Sequence, residues 1–331
     1  MSSSVESMAH RAGGEPATPW WRWVVLALFA IGAYAVWLLW ADAAAVGQAM
    51  GQFGAGTVAL ALFWASLNYL LRWCRWQVYL RRLGCSVPRG ESGLVFVAGF
   101  VMTLTPAKMG EVLKSLLLKR SCGLAIATTA PIVVAERVTD LAGLVLLMAL
   151  GCLRFERGVP VAIAAAGLVV VLGAVGAIPA LGTTLVRWVG RLPVLSRKAD
   201  RLQAAYLSLH RLSDLRTFAV ATAWSTLGWG SHCVCLWQCA HGLLPGAIDG
   251  LESCLAYAAP LLGGTLILVP GGLGATESSM TGLLGVLSEG GFDPGMAAAV
   301  ALLVRLVTFW WAILLGAVAF AVWRTRHADA K

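Results

Sequence analysis

The stretch "LILVPGGLGATESS", residues 266–279, interrupts an apolar segment with a proline and three glycines and then places a carboxylate at Glu277. The chain around this break is strongly apolar. Of its 331 residues, 59% are hydrophobic and 12% are charged, whereas a soluble domain carries roughly 25% charged residues. Long uncharged runs offer the roughly 20 apolar residues that a spanning helix needs; they include Trp23–Ala41, Ala43–Leu71 and Gly158–Val186. Since backbone groups in lipid must bond to one another, the sequence predicts an all-α polytopic membrane protein, with residues 1–331 forming a single integral membrane domain.

The distribution of charge predicts orientation and argues against a nucleic-acid partner. The net charge is +9, but the basic residues lie at the ends of apolar segments and form no separate basic domain. The positive-inside rule places a leader at 1–22, an amphipathic connector at 180–216 and both termini in the cytoplasm, and we expect the bacterial inner membrane. The first apolar run is longer than a signal-peptide core, so we expect an uncleaved helix.

Two Pro/Gly breaks predict re-entrant hairpins. The segment 93–118 is expected to enter from the cytoplasm and 253–287 from outside, which leaves about six full spans. Each hairpin lies between two spanning helices, in repeats at 53–157 and 217–323, and the predicted entry sides are opposite. The sequence therefore predicts an inverted repeat, a construction common in secondary transporters. The alternative is that both hairpins cross fully, which gives eight spans.

The segment "RWCRWQVYLRRL", residues 72–83, places two tryptophans and two leucines on one side of a helix. Three arginines, Arg72, Arg75 and Arg82, lie on another side. This pattern predicts an amphipathic helix that lies on the inner membrane surface.

Several charged residues fall inside apolar segments, where each costs roughly 2.5–3.5 kcal/mol at the bilayer centre. The spacing allows Arg137 to pair with Asp140, and we expect Arg305 to pair with Glu277. One hypothesis is that these groups form structural ion pairs that fix helix register. The other is that they line a polar path for a charged headgroup. The predicted path residues are Lys108, Glu111, Glu136, Arg137, Asp140, Glu277 and Arg305.

The residues of the two breaks also have two interpretations. Glycines permit close helix packing, but they also allow exposed backbone N–H groups beside the positive end of a half-helix, which suits an anion. We therefore expect hinges or a backbone anion site at Pro106, Gly110, Pro270, Gly271, Gly272 and Gly274.

One helical face carries His232, Cys235 and Cys239, which have the spacing of metal ligands. We interpret these side chains as small apolar filler, and we predict no metal and no cofactor.

Four segments carry a family resemblance: "TPAKMGEVLKSLLL", "AERVTDLAGLVLL", "LVPGGLGATESSMTGLL" and "LLVRLVTFW". In this order they resemble the transmembrane region of lysylphosphatidylglycerol synthases and the standalone flippase-like proteins of the same family. The resemblance implies movement of lipids between leaflets. It also implies that the cytosolic synthase domain is absent, so no synthase activity is expected.

The resulting expectation is a lipid transporter, not an enzyme. Its partners are membrane lipids with an anionic or polar headgroup; the resemblance allows a phospholipid, a polyprenyl-phosphate-linked lipid or a hopanoid lipid. No nucleotide-binding loop is present, so transport is expected to be passive or coupled to a proton or ion gradient. Two alternatives remain open: an intramembrane lipid-modifying enzyme and a non-transporting assembly partner. The sequence predicts no oligomeric state.

Overall fold

The computed structural model describes residues 42–104, 112–154, 159–178, 209–266 and 270–327, with positions 32, 34, 37, 39, 183, 184, 206 and 207. All regular secondary structure in these ranges is helical, which confirms the predicted all-α class. Some predicted features lie outside the described residues: the leader 1–22, most of the connector 180–216, Pro106, Lys108, Gly110 and Glu111.

The helices follow one another in two similar series. The first series consists of α1 (Ala43–Gly51), α2 (Ala55–Arg82), α3 (Arg89–Ala98) with a 3-10 turn (Gly99–Leu104), α4 (Leu113–Cys122), α5 (Ile126–Gly151) and α6 (Val159–Ala177). The second consists of α7 (Leu215–Leu243), α8 (Gly250–Leu266), a 3-10 turn (Pro270–Gly272), α9 (Ala275–Leu287), α10 (Pro294–Arg305), a π turn (Leu306–Trp310) and α11 (Trp311–Arg326).

Local sequence sets several helix ends. The side chains of Asp42, Asp214 and Asp293 accept hydrogen bonds from the first-turn N–H groups of α1, α7 and α10. These N–H groups lack partners within the helix, so an aspartate at this position is stabilising. Gly123, with φ 70°, ends α4 in the left-handed conformation that favours glycine.

One helix of the described residues is long and apolar enough to cross a membrane, the 33-residue run Pro294–Arg326. A second would qualify if α1 and α2, which meet at an angle of 97°, formed one span. Helix α5 has 26 residues but carries charged side chains near its middle, among them Glu136 and Asp140. The number of full spans stays a prediction.

The prediction of a surface helix at 72–83 was wrong. Helix α2 is continuous from Ala55 to Arg82, and Arg75 and Trp76 are fully buried within it. Arg72 and Arg75 of this face are turned towards the carboxylate of Asp140 on α5, whereas Arg82 stays half-exposed at the end of the helix. Amphipathic spacing reports that one face is polar, and it does not report what that face contacts.

The long helices run between two ends of the molecule. At the first end, Arg82 at the end of α2 pairs with Asp214 at the start of α7, with 3.0 Å between the charged groups. Trp323 near the end of α11 donates to Glu91 at the start of α3, at 3.1 Å. At the second end, Arg154 after α5 pairs with Asp249 before α8, at 3.2 Å.

Helices α3 and α8 therefore begin at different ends of the molecule. Helix α3 begins at the first end, and α4 returns there, because the next helix, α5, starts close behind it and runs to the second end. Helix α8 begins at the second end. The two 3-10 turns, Gly99–Leu104 and Pro270–Gly272, contact each other inside the bundle.

Packing around the hairpins is reciprocal. Helices α2 and α7 form the most extensive contact, and Gly228 on α7 allows a close approach to Asn68 on α2. Helix α11 packs on α3 and its 3-10 turn, and α5 packs on α8. Each hairpin is thus covered by a long helix of the other series.

Candidate functional site

The break in the second hairpin is bonded to a buried arginine. Arg305 Nε donates to Glu277 Oε1 at 2.6 Å, which confirms the predicted pair. Arg305 Nη2 donates to the carbonyl oxygen of Gly271 at 2.9 Å. Tyr34 Oη also donates to Glu277 Oε1, at 3.0 Å. Both charged side chains are buried, so each is neutralised by the other at a depth where a lone charge is costly.

The glycines of the break are required by geometry. Gly271, Gly272 and Gly274 have φ values of 65°, 68° and 80°, a region that L side chains rarely adopt. A Cβ on Gly271 would lie 2.6 Å from Cζ of Phe309. The same ring lies 4.2 Å from the Arg305 guanidinium. Glycine therefore lets the turn approach the aromatic ring and present its carbonyl to Arg305.

A second buried cluster surrounds the carboxylates of α5. Lys114 Nζ, on α4, lies 2.5 Å from Glu136 Oε2. Arg75 Nη2, on α2, lies 3.8 Å from Glu136 Oε1. Lys114, Glu136 and Arg75 are all buried. This cluster ties the first hairpin to α2 and α5.

Asp140 is the most heavily bonded carboxylate of this cluster. Arg75 Nη1 donates to Asp140 Oδ1 at 2.6 Å. Ser225 Oγ and Trp229 Nε1, both on α7, donate to the same oxygen at 2.9 Å each. Arg137 Nη2 lies 3.3 Å from Asp140 Oδ2, which confirms the predicted i, i+3 pair. Asp140 thus joins α2, α5 and α7.

A cavity lies beside the 3-10 turn Gly99–Leu104, between that turn and helices α2, α7, α8 and α10. Its charged lining residues are Arg72 on α2 and Arg305 on α10. Its volume is about 40 Å³, which is room for a few water molecules. The other lining residues are Tyr69, Phe100, Thr103, Trp229, His232, Tyr257, Leu261, Thr308, Phe309 and Ala312.

The predicted path residues that the structure describes fall into two groups, and of these residues Arg305 alone lines the cavity. Glu277 and Arg305 form one group, and Glu136, Arg137 and Asp140 belong to the other. The groups approach each other through Arg72 and Trp229, which line the cavity and contact the Asp140 carboxylate. Among the path residues that the structure describes, Arg137 is the most exposed, at 24% of its side chain.

Sequence reasoning missed Arg72, Arg75 and Lys114 as members of the site. The number of charged residues on α5 could have indicated them. Glu136 and Asp140 share one face of α5, and a single arginine, Arg137, cannot neutralise both. The missing cations had to come from other helices.

The face with His232 and two cysteines makes other contacts. His232 Nδ1 lies 2.7 Å from Tyr257 Oη, and Cys235 Sγ contacts the carbonyl oxygen of Ala61 at 3.7 Å. Within the described ranges, no group of three His, Cys, Asp or Glu side chains is placed to hold a metal ion.

Comparison with known proteins gives two matches. The family described as the transmembrane region of lysylphosphatidylglycerol synthase matches residues 23–316. A UPF0104 membrane protein of Methanocaldococcus jannaschii is 26% identical over 233 residues, which cover 67% of this chain and 94% of that protein. The matched region includes both hairpins and both buried charge clusters.

Proposed function

We propose, from the premise that this chain belongs to the family of the lysylphosphatidylglycerol synthase transmembrane region, that it moves a lipid with an anionic or polar headgroup between membrane leaflets. Membership of this family supports a location in the membrane and a lipid-related role. The observation that carries the proposal is the cavity beside the first 3-10 turn, which two guanidinium groups line. It lies near the middle of the helices that form it, where a headgroup crossing the bilayer would meet its highest barrier.

The depth of the cavity follows from the helices that form it. Tyr69, near the middle of α2, donates to the carbonyl oxygen of Thr308 at 2.7 Å. Thr308 lies in the π turn near the middle of the run Pro294–Arg326. A site at this level is far from both ends of the bundle. Polar groups at this level indicate a functional site, because the hydrocarbon of the membrane cannot form hydrogen bonds with them.

An inverted repeat of re-entrant hairpins would give the cavity two alternative entrances. The order of helices in the two series, their reciprocal packing and the meeting of the 3-10 turns support this arrangement. The first end of the molecule carries Arg81, Arg82, Arg324 and Arg326 in the last turns of α2 and α11. By the positive-inside rule we assign this end to the cytoplasm, so that the first hairpin enters from inside and the second from outside.

The buried ion pairs stabilise the charged side chains when no lipid is bound. With no lipid bound, Glu277 neutralises Arg305, and Asp140 and Glu136 neutralise the cations around them. A phosphate that reaches Arg305 can replace the Glu277 carboxylate, and the exchange keeps one negative charge beside the guanidinium. Proton uptake by the displaced carboxylate would couple transport to a proton gradient.

Reconstitution tests the proposal. Liposomes containing phosphatidylglycerol and a trace of its fluorescent analogue are prepared with purified protein, and the inner-leaflet fraction is followed by quenching from outside. Wild-type protein should accelerate exchange over protein-free liposomes, and Arg305→Gln should abolish the acceleration. The matched control is Arg82→Gln, which removes a half-exposed arginine at the end of α2 and should leave the rate unchanged. No acceleration by the wild type would overturn the proposal, and a chemically altered lipid would indicate an enzyme.

Labelling of single cysteines tests the topology. In a background without reactive native cysteines, positions in 240–250 and 288–294 should react with a membrane-impermeant reagent only from outside. Position 86, between α2 and α3, should react only from the cytoplasm. Labelling of position 86 and of positions 240–250 from the same side of the membrane would refute the inverted arrangement.

A further inference from the structure

Arg72 differs from the other buried cations in the described part of the chain by its weak compensation. Arg75, Lys114 and Arg305 each have a carboxylate oxygen within 2.6 Å. The nearest carboxylate oxygen to Arg72 is Oδ2 of Asp140, at 3.9 Å from Nη2, which is too long for a hydrogen bond. Arg72 Nε is buried and has no hydrogen-bond partner among the described residues.

The surroundings of Arg72 hold its guanidinium in the cavity wall. Its side chain is 8% exposed. The guanidinium carbon lies 5.7 Å from the ring centre of Phe100, at the tip of the first hairpin, and 5.4 Å from that of Trp229. Aromatic rings at these distances stabilise the cation without using its N–H groups. The donors of Arg72 therefore remain available to a ligand.

We propose that Arg72 is the residue that first binds the substrate, and that the group it binds is a phosphate of the lipid headgroup. This inference rests on the proposed function. The planar guanidinium presents paired N–H donors that match two phosphate oxygens, which an ammonium cannot do. Arg305 lines the same cavity and becomes the second contact when Glu277 leaves it. A zwitterionic lipid also carries a phosphate, but its cationic group would add positive charge beside the two arginines, so the site should favour a lipid with net negative charge.

The test measures lipid selectivity, separately from transport. Purified protein is equilibrated with mixed vesicles of phosphatidylglycerol and phosphatidylcholine, and the retained lipid is measured by native mass spectrometry. Wild-type protein should retain phosphatidylglycerol in preference. Arg72→Gln should reduce that preference about 10- to 100-fold, the size expected for loss of a charge-assisted hydrogen bond. Arg72→Lys, which keeps the charge but loses the planar fork, should give an intermediate value.

Two further variants complete the test. Arg82→Gln should retain the wild-type preference. If Arg72→Gln fails to fold, Phe100→Leu removes one aromatic face and leaves the charge, and it should still weaken the preference several-fold. Competition with inorganic phosphate distinguishes the two sources of the anion: displacement of lipid indicates that the phosphate group alone is recognised, and no displacement indicates the whole headgroup.

The outcomes separate this inference from the proposed function. Unchanged selectivity in a folded Arg72→Gln variant overturns the role of Arg72, whatever the transport rate. Lost selectivity in that variant, with no lipid exchange by the wild type, leaves the phosphate site intact and removes the transport function.

Discussion

The pair formed by Glu277 and Arg305 allows one experiment to separate a structural role from a transport role. We consider three variants: Glu277→Gln, Arg305→Met and the double variant. In the wild type both side chains are buried, and Arg305 Nε lies 2.6 Å from Glu277 Oε1. Each single substitution leaves the remaining charge buried without its partner.

The expected magnitudes follow from this geometry. Removing one member of a buried ion pair costs about 3–5 kcal/mol of folding free energy, whereas replacing both by neutral side chains of similar volume is often neutral or stabilising. The double variant should therefore be more stable than either single variant. The Gly271 carbonyl, which accepts from Arg305, loses its partner in Arg305→Met and in the double variant. The unpaired carbonyl should lower the free energy of unfolding of these two variants by a further amount of about 1–3 kcal/mol.

Two assays on the same samples complete the cycle. Unfolding of the four proteins in lipid discs gives the coupling free energy, and the liposome assay gives the rate of lipid exchange. We expect the double variant to recover most of its stability and none of its exchange activity, because the headgroup has lost the Arg305 guanidinium. Wild-type exchange by the double variant would refute the transport role and leave the pair as a purely structural contact.

Two further predictions concern single positions. Gly271→Ala should destabilise the protein by at least about 2 kcal/mol, because the residue has φ 65° and its new Cβ would lie 2.6 Å from Phe309. Gly285→Ala, where a Cβ meets no atom within 4 Å, should be neutral or stabilising by up to about 1 kcal/mol, and thermal unfolding compares the two. Hydrogen bonds from the first turn of α7 and the charge of Arg82 lower the pKa of Asp214. Its contribution should therefore be present above the ordinary carboxyl pKa of about 3.9 and be lost as the pH falls through the lower folded-state value. Asp214→Asn should cost less than about 1 kcal/mol at neutral pH and remove this acid dependence, which unfolding midpoints between pH 7 and pH 3 would show; a stability loss in the variant that changes with acid as in the wild type would contradict the assignment.

Sequence reasoning succeeded where the relevant contacts were local or forced by charge balance. The class of the protein followed from composition, and the family followed from four short segments. Arg137 and Asp140 are one helical turn apart, so their pairing follows from helix geometry. Glu277 and Arg305 are 28 residues apart, and their pairing followed because each needed an opposite charge at depth.

The same reasoning failed where a side chain depends on a distant helix. Arg75 lies 65 residues before Asp140, and no local pattern indicates that α2 turns its polar face inwards. Lys114 is buried against Glu136, and nothing in the local sequence indicates that contact. Helical periodicity gives the direction of a face, whereas burial is decided by the element that packs against it.

The reciprocal packing of the hairpins has a consequence for how the chain is built. Helix α3 is synthesised early, yet the surface that covers it belongs to α11, near the carboxyl end. The first hairpin therefore stays incompletely covered in the bilayer until α11 has been synthesised. Each series also packs against a hairpin of the other, so neither series can rotate as a rigid block without breaking these contacts. In the proposed transporter, access to the cavity would therefore change by movement of a hairpin along a helix of the other series.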